Sequence, residues 1–201
     1  LEIIKVSVYY SVYEEIIHLC KLILLNTVPK YLDNIEKSIT FLFPMEKIFQ
    51  DYISSLLKIK FNDEYQVKSQ KSDKYLQDDP KIFKIALDIY IHRRRDNTSI
   101  IIDTKYKYLD KEKNKKYGIL QSDIYQMISY AYKTGIDKVL LIYPNTNEQY
   151  GEVTKFVINR YDNNESIKIK IIQVPFWSVH GTKDLEEKIC ATIKNGLESW
   201  F

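Results

Sequence analysis

Two aspartates stand inside the two most apolar extended stretches of this chain, and any fold must account for both. Asp88 lies in Ile85-Ala86-Leu87-Asp88-Ile89-Tyr90-Ile91, and Asp103 follows Ile100-Ile101-Ile102. Strand interiors are depleted in Asp, and a buried carboxylate is costly unless a partner or a cation compensates it. Lys105 follows Asp103 by two positions, and side chains at that spacing share one face of a strand. Between the stretches lies the turn-like Arg93-Arg94-Arg95-Asp96-Asn97, which predicts a hairpin of strands 82–92 and 99–106. A turn centred between Arg95 and Asp96 sets Asp88 opposite Asp103. Shifting the centre by one residue sets Asp88 opposite Lys105, and all three still share a face. Only an odd-length loop or a bulge separates them.

The rest of the chain reads as alternating elements around this hairpin. In the first forty residues Tyr9, Val12, Tyr13, Ile16, Ile17, Cys20, Ile23 and Leu24 follow helical spacing up to Pro29. A second helix starts at Pro44, a favoured first-turn residue, and continues to about residue 58. Glu46 falls within its apolar arc, so an inward-directed acid is expected there; a first-turn acid favoured by the helix dipole is the plainer alternative. A short strand 65–68 and a polar loop 69–80 precede the hairpin. A helix is predicted over 122–134, then a strand 138–143 stopped by Pro144, strands 156–159 and 167–173, and a helix over 183–197. The order α–β–β–β–α–β–β–β–α describes one α/β domain with a mixed sheet over 41–201, preceded by a helical segment over 1–40.

Length and charge limit the alternatives. A chain of 201 residues with 45% hydrophobic and 28% charged residues has room for one sizeable core and is not wholly disordered. The formal charge of +3 means that any nucleic-acid surface must be a local patch. Cys20 and Cys190 lie far apart, without the partners a zinc site or a disulfide framework needs. No stretch is apolar enough to span a bilayer, and the start lacks the pattern of a signal peptide, so a cytoplasmic location with reduced cysteines is expected. The first residue is not Met, which suggests a piece of a longer protein.

The chemistry served by two carboxylates and an ammonium on one patch is metal-assisted attack on a phosphodiester. Oxygen donors suit Mg²⁺, which polarises the phosphoryl group and acidifies a water. Lys105 would orient or deprotonate that water and offset developing charge. A purely structural Asp–Lys pair would still leave the other aspartate uncompensated. Asp123, Gln126 and Tyr130 fall on one flank of the 122–134 helix. Asp123-x-x-Gln126 fits a capping box, while Gln126 and Tyr130 are free to hydrogen-bond a phosphate or a catalytic group. The segment 105–117 carries six lysines against Asp110 and Glu112, with Tyr106, Tyr108 and Tyr117 between them. Together with Arg93, Arg94 and Arg95, the lysines Lys107, Lys111, Lys113, Lys115 and Lys116 are the expected DNA contacts.

Four blocks carry a family likeness: Phe43-Pro44-Met45-Glu46-Lys47-Ile48-Phe49-Gln50-Asp51-Tyr52, Ile102-Asp103-Thr104-Lys105-Tyr106-Lys107, Asp123-Ile124-Tyr125-Gln126-Met127-Ile128-Ser129-Tyr130-Ala131-Tyr132 and Leu141-Ile142-Tyr143-Pro144. With Leu87-Asp88 they resemble the PD-(D/E)xK nuclease superfamily, and within it the McrC family, nuclease subunits of McrBC-type modification-dependent restriction systems. The resemblance covers roughly residues 40–145. It implies a restriction-endonuclease-like mixed sheet flanked by helices and an endonuclease activity dependent on Mg²⁺ or Mn²⁺. Asp88 and Asp103 would then be the metal ligands and Lys105 the catalytic lysine. Glu46 would match the glutamate of the first core helix, and Gln126 and Tyr130 the helix motif beside the active site. Leu87 stands where the family usually has proline. The implied partners are double-stranded DNA, a hexameric McrB-like AAA+ GTPase and a second nuclease copy on the DNA. The McrC region that docks into the GTPase ring is expected to be missing from this chain. The competing readings are a DNA-binding or motor-docking module without cleavage, and a RecB-like exonuclease, which shares the Gln/Tyr motif.

Overall fold

The structure is a computed structural model and describes residues 43–109, 116–147, 150–161 and 165–200, without the side chains of residues 70–72. The helical segment expected over 1–40, with Cys20, lies outside the described residues, as do Lys111, Lys113 and Lys115. The chain divides into two compact units, Leu1–Pro44 and Met45–Phe201. Among the described residues the second unit holds α1 (Met45–Lys60), β1 (Tyr65–Gln77), β2 (Ile82–Arg93), β3 (Thr98–Thr104), α2 (Gln121–Thr134), β4 (Lys138–Asn145), β5 (Gly151–Asn159), β6 (Ser166–Pro175) and α3 (Thr182–Glu198). Their order is the expected one.

The strands form one mixed sheet in the order β1-β2-β3-β4-β6-β5. The central strands β3, β4 and β6 are parallel. β2 joins β3 antiparallel, and β1 and β5 lie at the edges, antiparallel to their neighbours. A central parallel strand is covered on both faces and therefore apolar on both; residues Val139 to Tyr143 of β4 are all buried. Alternation along β3 sorts the core into two layers. Ile102 packs with Phe49, Ile53 and Leu57 of α1 and Ile193 of α3. Ile101 packs with Met127 and Ala131 of α2. By the same alternation Asp103 faces the α2 side.

Two local expectations are corrected. The polar loop expected over 69–80 is strand as far as Gln77, because β1 and β2 extend past the end of their neighbour as a two-stranded arm. Both faces of such an arm meet water over much of its length, so its sequence lacks the alternation that marks a half-buried strand. A bulge between Lys71 and Lys74 breaks its ladder. Pro144 does not stop β4, which continues to Asn145 beside β6. The β3 pairing ends at Ile142, so Pro144 sits where β4 has one neighbour and no ladder bond is lost on the other side.

Candidate active site

The site forms where β2 and β3 part. Their ladder runs from Arg93↔Thr98 to Ile89↔Ile102, the register of a turn centred between Arg95 and Asp96, so Asp88 and Asp103 are the next facing pair. There the backbone pairing ends and a side chain replaces it. Asp88 Oδ2 accepts the Thr104 backbone N–H at 3.0 Å and the Thr104 hydroxyl at 3.1 Å. The other oxygen of Asp88 has no protein partner among the described residues. Asp88 thus holds the end of β3 and remains half-buried beside it.

Asp103 is 2% exposed. Its Oδ2 stands 2.8 Å from Lys105 Nζ, an ion pair, yet no aligned hydrogen bond reaches that buried oxygen. Burial and the neighbouring Asp88 push the Asp103 carboxyl up to about 6, against the pull of Lys105. For Lys105, burial works against the charge, but Asp103, Asp123 and Asp88 together hold the ammonium above the ordinary lysine value. Lys105 Nζ also donates to Gln126 Oε1 at 2.9 Å, and Gln126 Nε2 donates to Tyr130 Oη at 2.8 Å. Gln126 and Tyr130 are one helical turn apart on α2, so the helix holds the lysine through a two-step relay.

A second rung lies one turn back. Lys107 Nζ meets both oxygens of Asp123 at 3.0 and 3.1 Å. Asp123 is 5% exposed, and the Tyr143 hydroxyl donates to it at 3.4 Å. Burial, then Asp123, pushes the Tyr143 phenol up, so it remains a donor. This corrects the capping-box reading: α2 begins at Gln121, Leu120 is its N-cap, and no side chain caps it. The sequence pattern suggested a cap because Asp and Gln three apart also describe two inward rungs on one helix face.

Glu46 is likewise corrected. It is exposed rather than aimed into the core, because α1 buries the face of Phe49, Ile53, Leu56 and Leu57 and carries Glu46 in its first turn, ahead of that face. It nevertheless borders a cleft of about 380 Å³ shared with Gln50, Asp88, Thr104 and Lys105. Gln50 and Thr104 were not singled out from sequence. Gln50 follows Glu46 by one helical turn, the one signal that could have found it, and Thr104 was hidden as the spacer between Asp103 and Lys105.

The basic residues do not gather as expected. Arg93, Arg94 and Arg95 lie at the β2–β3 turn, the opposite end of β3 from Asp103. Seven strand residues separate those ends, about 20 Å at strand rise. Arg93 is bound to Asp96 through Nε at 3.0 Å and through a second, shorter contact, while Arg94 and Arg95 are exposed. Lys107 is committed to Asp123, and exposed Lys116 contacts Gln121 at 3.4 Å.

A hard divalent cation fits what is present. Asp103 offers a buried oxygen with no aligned hydrogen bond, and Asp88 an uncommitted one. No group of three or more His, Cys, Asp or Glu suited to a metal occurs among the described residues, so waters and a substrate oxygen would complete the shell, as Mg²⁺ tolerates.

No curated protein matches this chain. A model of the family described as "McrBC 5-methylcytosine restriction system component" matches residues 1–144, a span that includes Glu46, Asp88, Asp103, Lys105, Gln126 and Tyr130. No described helix is long and apolar enough to cross a membrane. Matched over well more than half its length and carrying this site on a mixed, helix-flanked sheet, the chain belongs to the McrBC family of 5-methylcytosine restriction system components.

Proposed function

We propose that this chain is the metal-dependent endodeoxyribonuclease part of its restriction system, hydrolysing DNA phosphodiesters with a McrB-type GTPase as partner. The observation that carries the reading is the meeting of Asp88, Asp103 and Lys105 where β2 and β3 part, with Gln126 bound to the lysine. Asp88 and Asp103 would hold Mg²⁺ or Mn²⁺, which when bound supplies Lewis acidity and an acidified water. Asp103 must be ionised to serve, and the cation favours that form over the proton.

Lys105 keeps its proton among three aspartates, so it acts as a cation. It orients the attacking water and offsets charge on the phosphorus rather than accepting a proton. Gln126 and Tyr130 fix the ammonium's direction, and Lys107 with Asp123 ties the segment after β3 to α2. Glu46 and Gln50, at the cleft mouth, are placed to meet the incoming strand. Lys111, Lys113, Lys115 and Lys116 remain the proposed backbone contacts, the first three outside the described residues. Arg94 and Arg95 would touch a duplex only where it extends across the sheet to the other end of β3, or where a second nuclease copy shares it.

The test is cleavage of methylated duplex DNA by the chain with its GTPase partner, in Mg²⁺ or Mn²⁺. The natural chain should cut; Asp103→Ala and Lys105→Ala, folded by circular dichroism, should not. Undiminished cutting in both variants would end the assignment.

A further inference from the structure

The C-terminal ends of parallel strands are where open α/β sheets bind ligands, and here those ends carry more than the cleft at Asp88 and Lys105. The segments that follow β4 and β6 enclose a second cavity of about 330 Å³, lined by Asn145, Thr146, Tyr150, Trp177, His180 and Lys188. It lies on the same edge of the sheet as the cleft. β3 and β6 flank β4, about 10 Å apart at the usual strand spacing. Tyr106, just past Lys105, packs its ring 5.7 Å from that of Phe176, next to Trp177. Tyr106 lines the cleft and Trp177 the cavity, so the two openings are joined by an aromatic pair.

The rings divide by what they touch. Tyr106 packs at a tilt against both Phe49 and Phe176, and Trp200 lies under Lys170 and Lys155. Trp177 and Tyr150 have no ring or cation partner among the described residues, although they are 54% and 39% exposed. Trp177 is nonetheless tethered: its Nε1 donates to the Thr146 carbonyl at 3.0 Å, and the side chain lines the cavity. His180 and Lys188, the latter paired with Asp184 at 2.7 Å, add hydrogen-bonding groups to the rim. An exposed, tethered indole beside a second free ring is a stacking platform, and every base has a face to offer it.

Resting on the nuclease reading above, we infer that the cavity of Trp177 and Tyr150 holds an unpaired DNA base next to the cleavage cleft. Bases within a duplex are already stacked on each other, so the platform selects DNA that is single-stranded or locally opened near the cut.

The test is anisotropy of a labelled single-stranded oligothymidylate and of its duplex, measured in EDTA so that cleavage plays no part. The single strand should bind more tightly than the duplex, and Trp177→Ala should weaken it about tenfold or more, whereas Trp177→Phe should keep most of the affinity. A 2-aminopurine in the strand should be quenched by the natural chain and by Trp177→Phe, but not by Trp177→Ala. Binding in EDTA is read without cleavage, so failure of the nuclease reading leaves this result intact. Failure of the natural chain to bind, or equal affinity and quenching in Trp177→Ala, overturns the inference. Loss of binding to the GTPase partner alone in Trp177→Ala also overturns it, and makes the cavity a protein-docking site.

Discussion

Lys105 and Lys170 are both drawn out of water on the same sheet, and they are held in opposite ways. Lys170, on β6, is 1% exposed. Its Nζ donates to the Gly196 carbonyl at 2.7 Å and to the Ser199 hydroxyl, and it lies 4.3 Å from the centre of the Trp200 ring. These are the last-turn carbonyl of α3 and a ring face, the partners a helix C-terminus and an aromatic offer to a cation. Among the described residues Glu152, half-exposed at 3.7 Å, is the one acid paired with it. Burial therefore pulls the Lys170 ammonium below the ordinary value.

Lys105 sits instead among Asp103, Asp88 and Asp123, and its pKa is raised. Among the described residues three aspartates face Lys105 and Lys107. A group satisfied by dipoles closes a helix. Under the function proposed above, the excess acid around Lys105 is where a divalent cation would bind.

The widest gap between the two should appear in catalysis. Lys105→Ala or Asp103→Ala is expected to lower cleavage per folded molecule about a thousandfold, and Lys105→Ala also costs stability because it leaves the buried Asp103 without its ion pair. Lys170→Ala should act on stability alone: a loss of about 2–4 kcal/mol in urea unfolding, with cleavage per folded molecule unchanged. A catalytic loss at Lys170 with stability intact would erase the distinction.

A pH experiment sharpens the comparison further. In the folded chain Asp103 keeps its proton up to about 6, while the unfolded chain releases it near the ordinary aspartate value of 3.8. The folded state then binds more protons between those values, so stability falls as pH rises through that window, by on the order of 2–3 kcal/mol. Urea midpoints at the two ends should show the fall in the natural chain and its loss in Asp103→Asn. An unchanged slope would place the titration elsewhere. The smallest effect is expected at Thr104→Val, which removes one of two bonds to Asp88: about 1 kcal/mol of stability and a few-fold weaker Mn²⁺ binding by calorimetry. Equal Mn²⁺ affinity would mean that Asp88 needs no such restraint.

Much of the fold was legible because its signals are local. The hairpin register followed from the turn at Arg95 and Asp96, and the apolar run of β4 announced a strand covered on both faces. Asp88, Asp103 and Lys105 stood out because acids are rare among isoleucines. The β1–β2 arm was illegible because much of it has no buried face, and the continuation of β4 through Pro144 depends on where β3 happens to end. The Asp123–Lys107 pair was mistaken for a cap because helix spacing alone does not say what lies opposite.

Chain order, strand register and the three charged residues at the end of β3 follow from periodicity and turn chemistry, which act over a few residues. Packing between distant elements decided the rest. It turned Glu46 outward to the cleft mouth, carried the arginines to the far end of β3, and gathered Trp177 and Tyr150 beside the cleft. Distances across a fold depend on which ends of the strands meet, and no short-range pattern encodes that.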